Sequence, residues 1–142
     1  MVTNSAKSGL IFSADTIVVL GNRILQKPES RAEARDMIRS LSGRWHDVVT
    51  GICLMDCAQQ RSRSAFSSTR VHFRRLSYEE IDWYLNTGEY RDKAGAYGVQ
   101  GYASLFIDRI EGCYFNVVGL PISAFEKLCR KFGINLISNL ES

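Results

Sequence analysis

The segment that decides the fold and the site is Asp92-Lys93-Ala94-Gly95-Ala96-Tyr97-Gly98-Val99-Gln100-Gly101. Its three glycines and two alanines leave little side chain to pack and let another group approach the backbone closely. Lys93 offers a cationic amine that suits phosphate oxygens, and Gln100 offers a carboxamide that can donate to and accept from a base edge. The segment therefore fits an anion or nucleotide site. A glycine-rich surface turn is the alternative, and the spacing matches neither the Walker A loop nor the dinucleotide fingerprint.

Length and composition indicate one ordinary globular domain over residues 1–142. Hydrophobic residues make up 45% of the chain and charged residues 23%, and no apolar run is long enough to cross a bilayer. The first nine residues are polar and lack the apolar core of a secretory signal. The four cysteines have irregular spacing, which favours reduced thiols in a cytoplasmic protein over a disulfide framework or a zinc site.

The region from Leu10 to Leu25 predicts a strand, a two-residue turn at Gly21-Asn22 and a second short strand. Asp15 falls inside the first strand region, where a carboxylate is costly to bury unless it is paired or bound to a metal ion. This makes Asp15 the best single candidate for chemistry. The alternative is an aspartate that caps a turn at the end of a strand. Lys27, held extended by Pro28, could reach an anion or simply be exposed.

Three capping signatures predict helices that begin near Ser30, Ser77 and Ser123, each with glutamate three residues later. Trp45 to Met55 predicts a long strand, in which His46 and Asp47 point to opposite faces and are not expected to cooperate in catalysis. Further along, Ser104 to Ile110 and Cys113 to Val118 predict a second hairpin across Glu111-Gly112. We expect an extended or frayed tail over 135–142.

The segment from Gln59 to Leu76 contains five arginines and no acidic residue. Interleaved with Phe66 and Phe73, these arginines could grip phosphates, as in a small basic RNA- or DNA-binding domain. The alternative, which we favour, is a solvated loop followed by a half-exposed edge strand. The net charge of +3 would help an anionic ligand approach but does not require nucleic acid.

Four segments, in order, resemble the Maf family of nucleoside triphosphate pyrophosphatases, in its dTTP/UTP branch. The glycine-rich segment at 92–101 looks like the family's signature. The other three segments are Ser13-Ala14-Asp15-Thr16-Ile17-Val18-Val19, then Leu41-Ser42-Gly43-Arg44 with His46 and Thr50-Gly51, then Asn116-Val117-Val118-Gly119-Leu120-Pro121.

The resemblance implies an α/β fold of the Maf/ITPase-like type, with a mixed, elongated β-sheet flanked by helices and a nucleotide cleft. It implies hydrolysis of dTTP or UTP, and of some modified nucleotides, to the monophosphate and pyrophosphate. By resemblance, Asp15 is the catalytic proton acceptor and the carboxylate linked to a divalent metal ion, Mg or Mn. Thr16 and Gln100 match base-selecting positions, and Lys27 and Lys93 match phosphate-contacting lysines. A homodimer in the cytoplasm, with no membrane association, is also implied.

The sequence departs from the family pattern at its start. Family members begin with a Ser-x-Ser-Pro-Arg-Arg motif on a first strand and helix, and the fourteen residues before Asp15 contain no such motif. We therefore expect the chain to match roughly the last two-thirds of a family member and to be a weak or inactive enzyme. A non-catalytic nucleotide-binding remnant is the alternative function, followed by the nucleic-acid-binding domain.

Overall fold

A computed structural model describes residues 2–5 and 9–137 as an α/β fold in which helices cover one face of an antiparallel sheet. The predicted class is confirmed. All pairings among the described strands are antiparallel, whereas the family resemblance implies a mixed sheet. The strands are β1 Val2–Ser5, β2 Leu10–Leu20, β3 Arg23–Leu25, β4 Trp45–Asp56, β5 Arg61–Phe73 and β6 Ile107–Glu111; the helices are α1 Arg31–Leu41, α2 Tyr78–Asn86, α3 Tyr114–Val118 and α4 Ile122–Lys131.

The sheet has the order β1-β2-β4-β5-β6, and β3 pairs with the same edge of β2 as β1 does. On that edge β1 covers β2 as far as Ser13 and β3 covers it from Val18. Residues 14–17 of β2 therefore have no strand partner there among the described residues. On its other edge β2 pairs with β4 from Leu10 to Val19, and Thr16 lies directly opposite Thr50.

Alternation along β4 shows which face of the sheet is covered. Its even-numbered residues from His46 to Asp56 are buried, and the odd-numbered ones are half-buried or exposed. Side chains on the covered face contact two hydrophobic clusters. The larger one joins α1 and α2 to Val18, Val48 and Phe73, and the smaller one packs α4 against Ile52 and Leu54. None of the helices in the described ranges is long and apolar enough to span a membrane.

Local signals placed the first two helices correctly. The Ser30 hydroxyl accepts a hydrogen bond from the Glu33 N–H at 3.1 Å and begins α1. At α2 the capping box is complete, because Ser77 and Glu80 exchange side-chain to backbone bonds in both directions. The Arg74 guanidinium also contacts Glu80 at 2.7 Å, and this hydrogen bond, with that from the Ser77 N–H, lowers the pKa of Glu80 to about 2.

The third predicted capping box is wrong. Helix α4 begins at Ile122, and the Pro121 carbonyl accepts the first backbone bond from Phe125 at 2.9 Å. No described side chain caps this end, and Glu126 pairs with Arg130 one turn later. Proline suits the start of a helix because its missing N–H would have no partner there. The predicted tail at 135–142 lies outside the described residues from 138 onward.

The second predicted hairpin is also wrong. Residues 107–111 form β6, but β6 pairs with β5, and Tyr114–Val118 form the short helix α3. Tertiary contacts override the β-branched pattern here, since Asn116 is fully buried and its side-chain amide donates to the Val48 carbonyl.

The arginine-rich segment is predicted as a loop followed by a strand, but the structure makes it a strand from Arg61 to Phe73, so the loop part of the prediction is wrong. Residues 61–72 each face a partner on β4, which keeps the whole segment extended. Three of the arginines are engaged by neighbours: Arg61 lies over the Phe132 ring, Arg70 lies over Trp45, and Arg74 binds Glu80.

Candidate active site

A cavity of about 830 Å³ lies on the covered face of the sheet, at the open stretch of β2. Its walls come from β2, from the residues around the glycine-rich segment, from the end of α3 and from the loop after β3. All five residues predicted from the sequence line this one cavity: Asp15, Thr16, Lys27, Lys93 and Gln100. The fold therefore brings together groups that are up to 85 positions apart in the chain, as counted from Asp15 to Gln100.

Gly95 lets the glycine-rich segment approach β2. Its φ of +69° is a conformation that side chains rarely adopt, and a Cβ added there would lie 2.8 Å from Val18 Cγ2. The Gly95 N–H donates to the Gln26 carbonyl at 3.1 Å. This backbone bond joins the segment that carries Lys93 to the loop that carries Lys27, and both lysines line the cavity.

Gly98 and Gly101 make room for neighbouring side chains. A Cβ on Gly98 would lie 2.8 Å from Lys93 Cε, so the lysine stem lies along bare backbone. A Cβ on Gly101 would lie 1.8 Å from Glu89 Oε1. That carboxylate accepts hydrogen bonds from the Tyr102 and Ala103 N–H groups at 2.9 and 3.3 Å. Glu89 thus holds the backbone immediately after Gln100.

Behind the cavity, a buried histidine supports the Tyr97 wall. His46 Nε2 lies 2.7 Å from the Tyr97 hydroxyl, and the imidazole is 2% exposed. Burial, followed by the charge of His72, lowers the pKa of His46 to about 4, and burial raises the pKa of Tyr97. Because both groups are then neutral near pH 7, they suit a supporting role and not proton transfer.

A chain of buried polar groups runs from the cavity into the sheet. Thr16 Oγ1 lies 2.8 Å from Thr50 Oγ1, which lies 3.3 Å from the Asn116 carbonyl. The Asn116 side-chain amide donates to the Val48 carbonyl and to Thr69 Oγ1. The Thr69 hydroxyl then donates to the Cys113 carbonyl at 2.8 Å. These contacts attach α3, whose end lines the cavity, to the sheet.

Charged groups of both signs line the cavity. Its lining residues include the acidic Asp15, Glu89 and Asp92 and the basic Lys27 and Lys93. Glu89 is committed to backbone N–H groups, while Asp15 is exposed and its side chain has no hydrogen bond or ion pair with any residue that the structure describes. Within those same ranges, no three His, Cys, Asp or Glu side chains are grouped closely enough to form a metal site by themselves.

A family model described as a Maf-like protein matches residues 1–132. The chain belongs to the Maf family. The resemblance seen in its four sequence motifs is thereby confirmed, and so is the fold class that it implied.

Eight curated relatives, 40–47% identical to this Maf-family chain, share the name dTTP/UTP pyrophosphatase. The chain is 47% identical to the dTTP/UTP pyrophosphatase of Syntrophomonas wolfei, over 97% of this chain and 73% of the relative. It is 47% identical to the dTTP/UTP pyrophosphatase of Desulforamulus reducens, over 91% of this chain and 68% of the relative. It is 46% identical to the protein of that name from Clostridioides difficile, over 95% of this chain and 70% of the relative.

The sequence does not reveal the roles of three residues that shape the site. Glu89 had no motif around it, and only its contact with the backbone after Gly101 reveals its role. His46 was noted as part of a motif, but its partner Tyr97 lies 51 residues away. Thr50 stood in the quoted Thr-Gly pair, and the register between β2 and β4 could have placed it beside Thr16.

Proposed function

We propose that this protein hydrolyses dTTP and UTP between the α and β phosphates, releasing the nucleoside monophosphate and pyrophosphate. The observation that carries the proposal is the single cavity lined by Asp15, Thr16, Lys27, Lys93 and Gln100. Family membership and the shared name of the relatives support it. The volume, about 830 Å³, is in the range of ligand pockets, roughly 300–1,000 Å³.

Asp15 is the proton acceptor in this proposal. Attack of water on phosphorus requires a base within hydrogen-bond reach of the water. The Asp15 carboxylate is exposed at the open stretch of β2, and no described side chain competes for its oxygens. It can therefore orient a water molecule and accept its proton.

The two lysines would neutralise the triphosphate. Negative charge shifts toward the leaving pyrophosphate during the reaction, and fixed cations stabilise it most where water is excluded. Lys93 and Lys27 both line the cavity, on segments joined by the backbone bond from Gly95 to Gln26. Gln100, whose backbone is held by Glu89 through the next residues, would contact the base.

A divalent cation, Mg²⁺ or Mn²⁺, fits this site if it is coordinated by oxygen atoms of both the protein and the substrate. Mg²⁺ is usually held by one or two carboxylates together with substrate phosphates, not by a complete protein cage. Asp15 provides an exposed carboxylate in the cavity, which agrees with the lack of a three-ligand group among the described residues. When bound, the cation would polarise the phosphoryl oxygens.

Two other functions are less well supported. A non-catalytic nucleotide-binding protein would use Lys27, Lys93 and Gln100 without turnover. A nucleic-acid-binding domain would need free arginines on the segment from Gln59 to Leu76, whereas Arg61, Arg70 and Arg74 each contact a neighbour. Such a domain predicts binding that weakens steeply with salt.

The deciding experiment measures pyrophosphate release from dTTP, UTP and GTP with Mg²⁺ or Mn²⁺. We expect turnover of the pyrimidine nucleotides and a loss of about 100-fold or more in Asp15→Asn, which removes the base but keeps its shape. Asp47→Asn is the matched control, because Asp47 lies on the neighbouring strand, outside the cavity lining. We expect Asp47→Asn to retain activity.

Each outcome separates the candidates. Saturable nucleotide binding without pyrophosphate would favour the non-catalytic function. Equal turnover by the wild type and Asp15→Asn would remove Asp15 from the chemistry.

The proposal includes a homodimer in the cytoplasm. The uncovered face of the sheet exposes apolar side chains, among them Phe66, which is 74% exposed. Such a face is suited to cover by a second copy. All four cysteines are unpaired, which agrees with a reducing compartment. Light scattering during size-exclusion chromatography measures the oligomeric state directly, and a monomeric mass would contradict the dimer.

A further inference from the structure

The contact between Thr16 and Thr50 determines which of the two hydroxyl groups donates its proton to the other. Thr50 is completely buried, so its hydroxyl proton must go to a protein group. Two acceptors in the described part of the chain lie within reach: Thr16 Oγ1 at 2.8 Å and the Asn116 carbonyl at 3.3 Å. The Asn116 carbonyl also accepts from the Gly119 N–H at 3.1 Å, and its two lone pairs accommodate both donors.

The protons can be assigned from this geometry. A carbonyl only accepts, so the bond between Thr50 and Asn116 uses the Thr50 proton. A hydroxyl has one proton, and Thr50 can then only accept from Thr16. The bond of 2.8 Å between the threonines therefore uses the Thr16 proton. This is the arrangement in which both contacts are hydrogen bonds.

We propose that Thr50 holds the Thr16 hydroxyl as an acceptor, so that the cavity selects a substrate that presents an N–H or O–H group to it. Thr16 lines the cavity, and with its proton committed it offers only lone pairs there. Thr50 is thus a positioning residue for specificity, since it does not line the cavity itself. The inference rests on the proposed nucleotide pyrophosphatase function.

A pyrimidine nucleotide has two sources of such a donor. Uracil and thymine carry N3–H on the base edge, whereas cytosine has a bare N3 acceptor at the same place. The sugar carries a 3′ hydroxyl, which a 3′-deoxynucleotide lacks. A site built around a hydrogen bond rejects a ligand that leaves the buried group unpaired, so each source predicts a different discrimination.

The test measures equilibrium binding, which does not depend on turnover. Dissociation constants of α,β-methylene analogues are measured by calorimetry with Mg²⁺ present. One arm compares UTP with CTP analogues, and the other compares dTTP with its 3′-deoxy form. In the wild type we expect about tenfold tighter binding of the donor-bearing ligand in one arm. In Thr50→Val the Thr16 hydroxyl is free to rotate and donate, so that ratio should approach one.

Two control variants distinguish the positioning of the Thr16 hydroxyl by Thr50 from a general loss of stability. Thr50→Ser keeps the hydroxyl and should preserve the wild-type ratio. Thr69→Val removes a second fully buried hydroxyl of the same network, one that does not contact Thr16, and should lower stability without changing the ratio.

The inference would be overturned by Thr50→Val retaining the wild-type ratios in both arms, or by a wild type that discriminates in neither. Absence of turnover alone would overturn the proposed function and leave the binding result to decide this inference.

Discussion

Acidification is expected to destabilise the fold through His46. The imidazole is 2% exposed, its Nε2 is bonded to Tyr97, and its Nδ1 has no partner among the described residues. Protonation would place a charge between the rings of Phe73 and Tyr97, and no carboxylate in the described residues forms a hydrogen bond or ion pair with this imidazole. Burial therefore lowers the pKa of His46 from 6.5 to about 4.

Proton linkage gives the sign and the size of this change in the free energy of unfolding. Between these two pKa values the unfolded chain binds a proton that the folded chain does not, so the free energy of unfolding falls as the pH falls. The contribution is intact above the unfolded pKa and is lost progressively toward the folded one. Each pKa unit corresponds to about 1.4 kcal/mol, so by about pH 4.5 the loss reaches about 2–3 kcal/mol.

Urea unfolding, followed by the fluorescence of the two tryptophans, measures this loss between about pH 7 and about pH 4.5. The comparison is with His46→Gln, which keeps a hydrogen-bonding side chain but cannot titrate. Carboxylates titrate in both proteins, so the difference between their pH profiles isolates His46. We expect the wild type to lose about 2–3 kcal/mol more than the variant.

The other histidine is the control. His72 is half-exposed and its Nδ1 lies 2.6 Å from Asp108 Oδ1. The variant His72→Gln removes this surface imidazole and keeps the buried imidazole of His46. That variant should retain most of the wild-type acid sensitivity. Parallel profiles for the wild type and His46→Gln would refute the reasoning, as would an imidazole of His46 that titrates near its ordinary pKa in an NMR experiment.

Two substitutions test the supports of the cavity. Gly95→Ala should lower the free energy of unfolding by about 2 kcal/mol or more and weaken nucleotide binding, because the new Cβ would crowd Val18 at a positive φ. Thermal unfolding measures the first effect and calorimetry the second. Gly21→Ala is the control for the crowding, because Gly21 has a similar φ but open space around it. Asn116→Ala should cost about 3 kcal/mol because it removes two buried hydrogen bonds and leaves a cavity; unchanged urea unfolding would contradict that.

Local patterns predicted much of the fold because their causes are local. The Ser30 and Ser77 caps bond to the N–H three residues later, and such contacts are decided within one turn. The turn at Gly21-Asn22 also depends on near neighbours. The pattern failed at 113–118, where distant partners hold Asn116 and its segment as a helix.

The sequence by itself determined the helices with complete local signals, the family motifs and the identity of the five cavity residues. Only the tertiary structure decided which groups touch them. The β2–β4 register places Thr50 beside Thr16, the packing of the glycine-rich segment brings Tyr97 to His46, and Glu89 meets the backbone after Gly101. These contacts join residues far apart in the chain, so they depend on how whole elements pack, which no local pattern of side chains encodes.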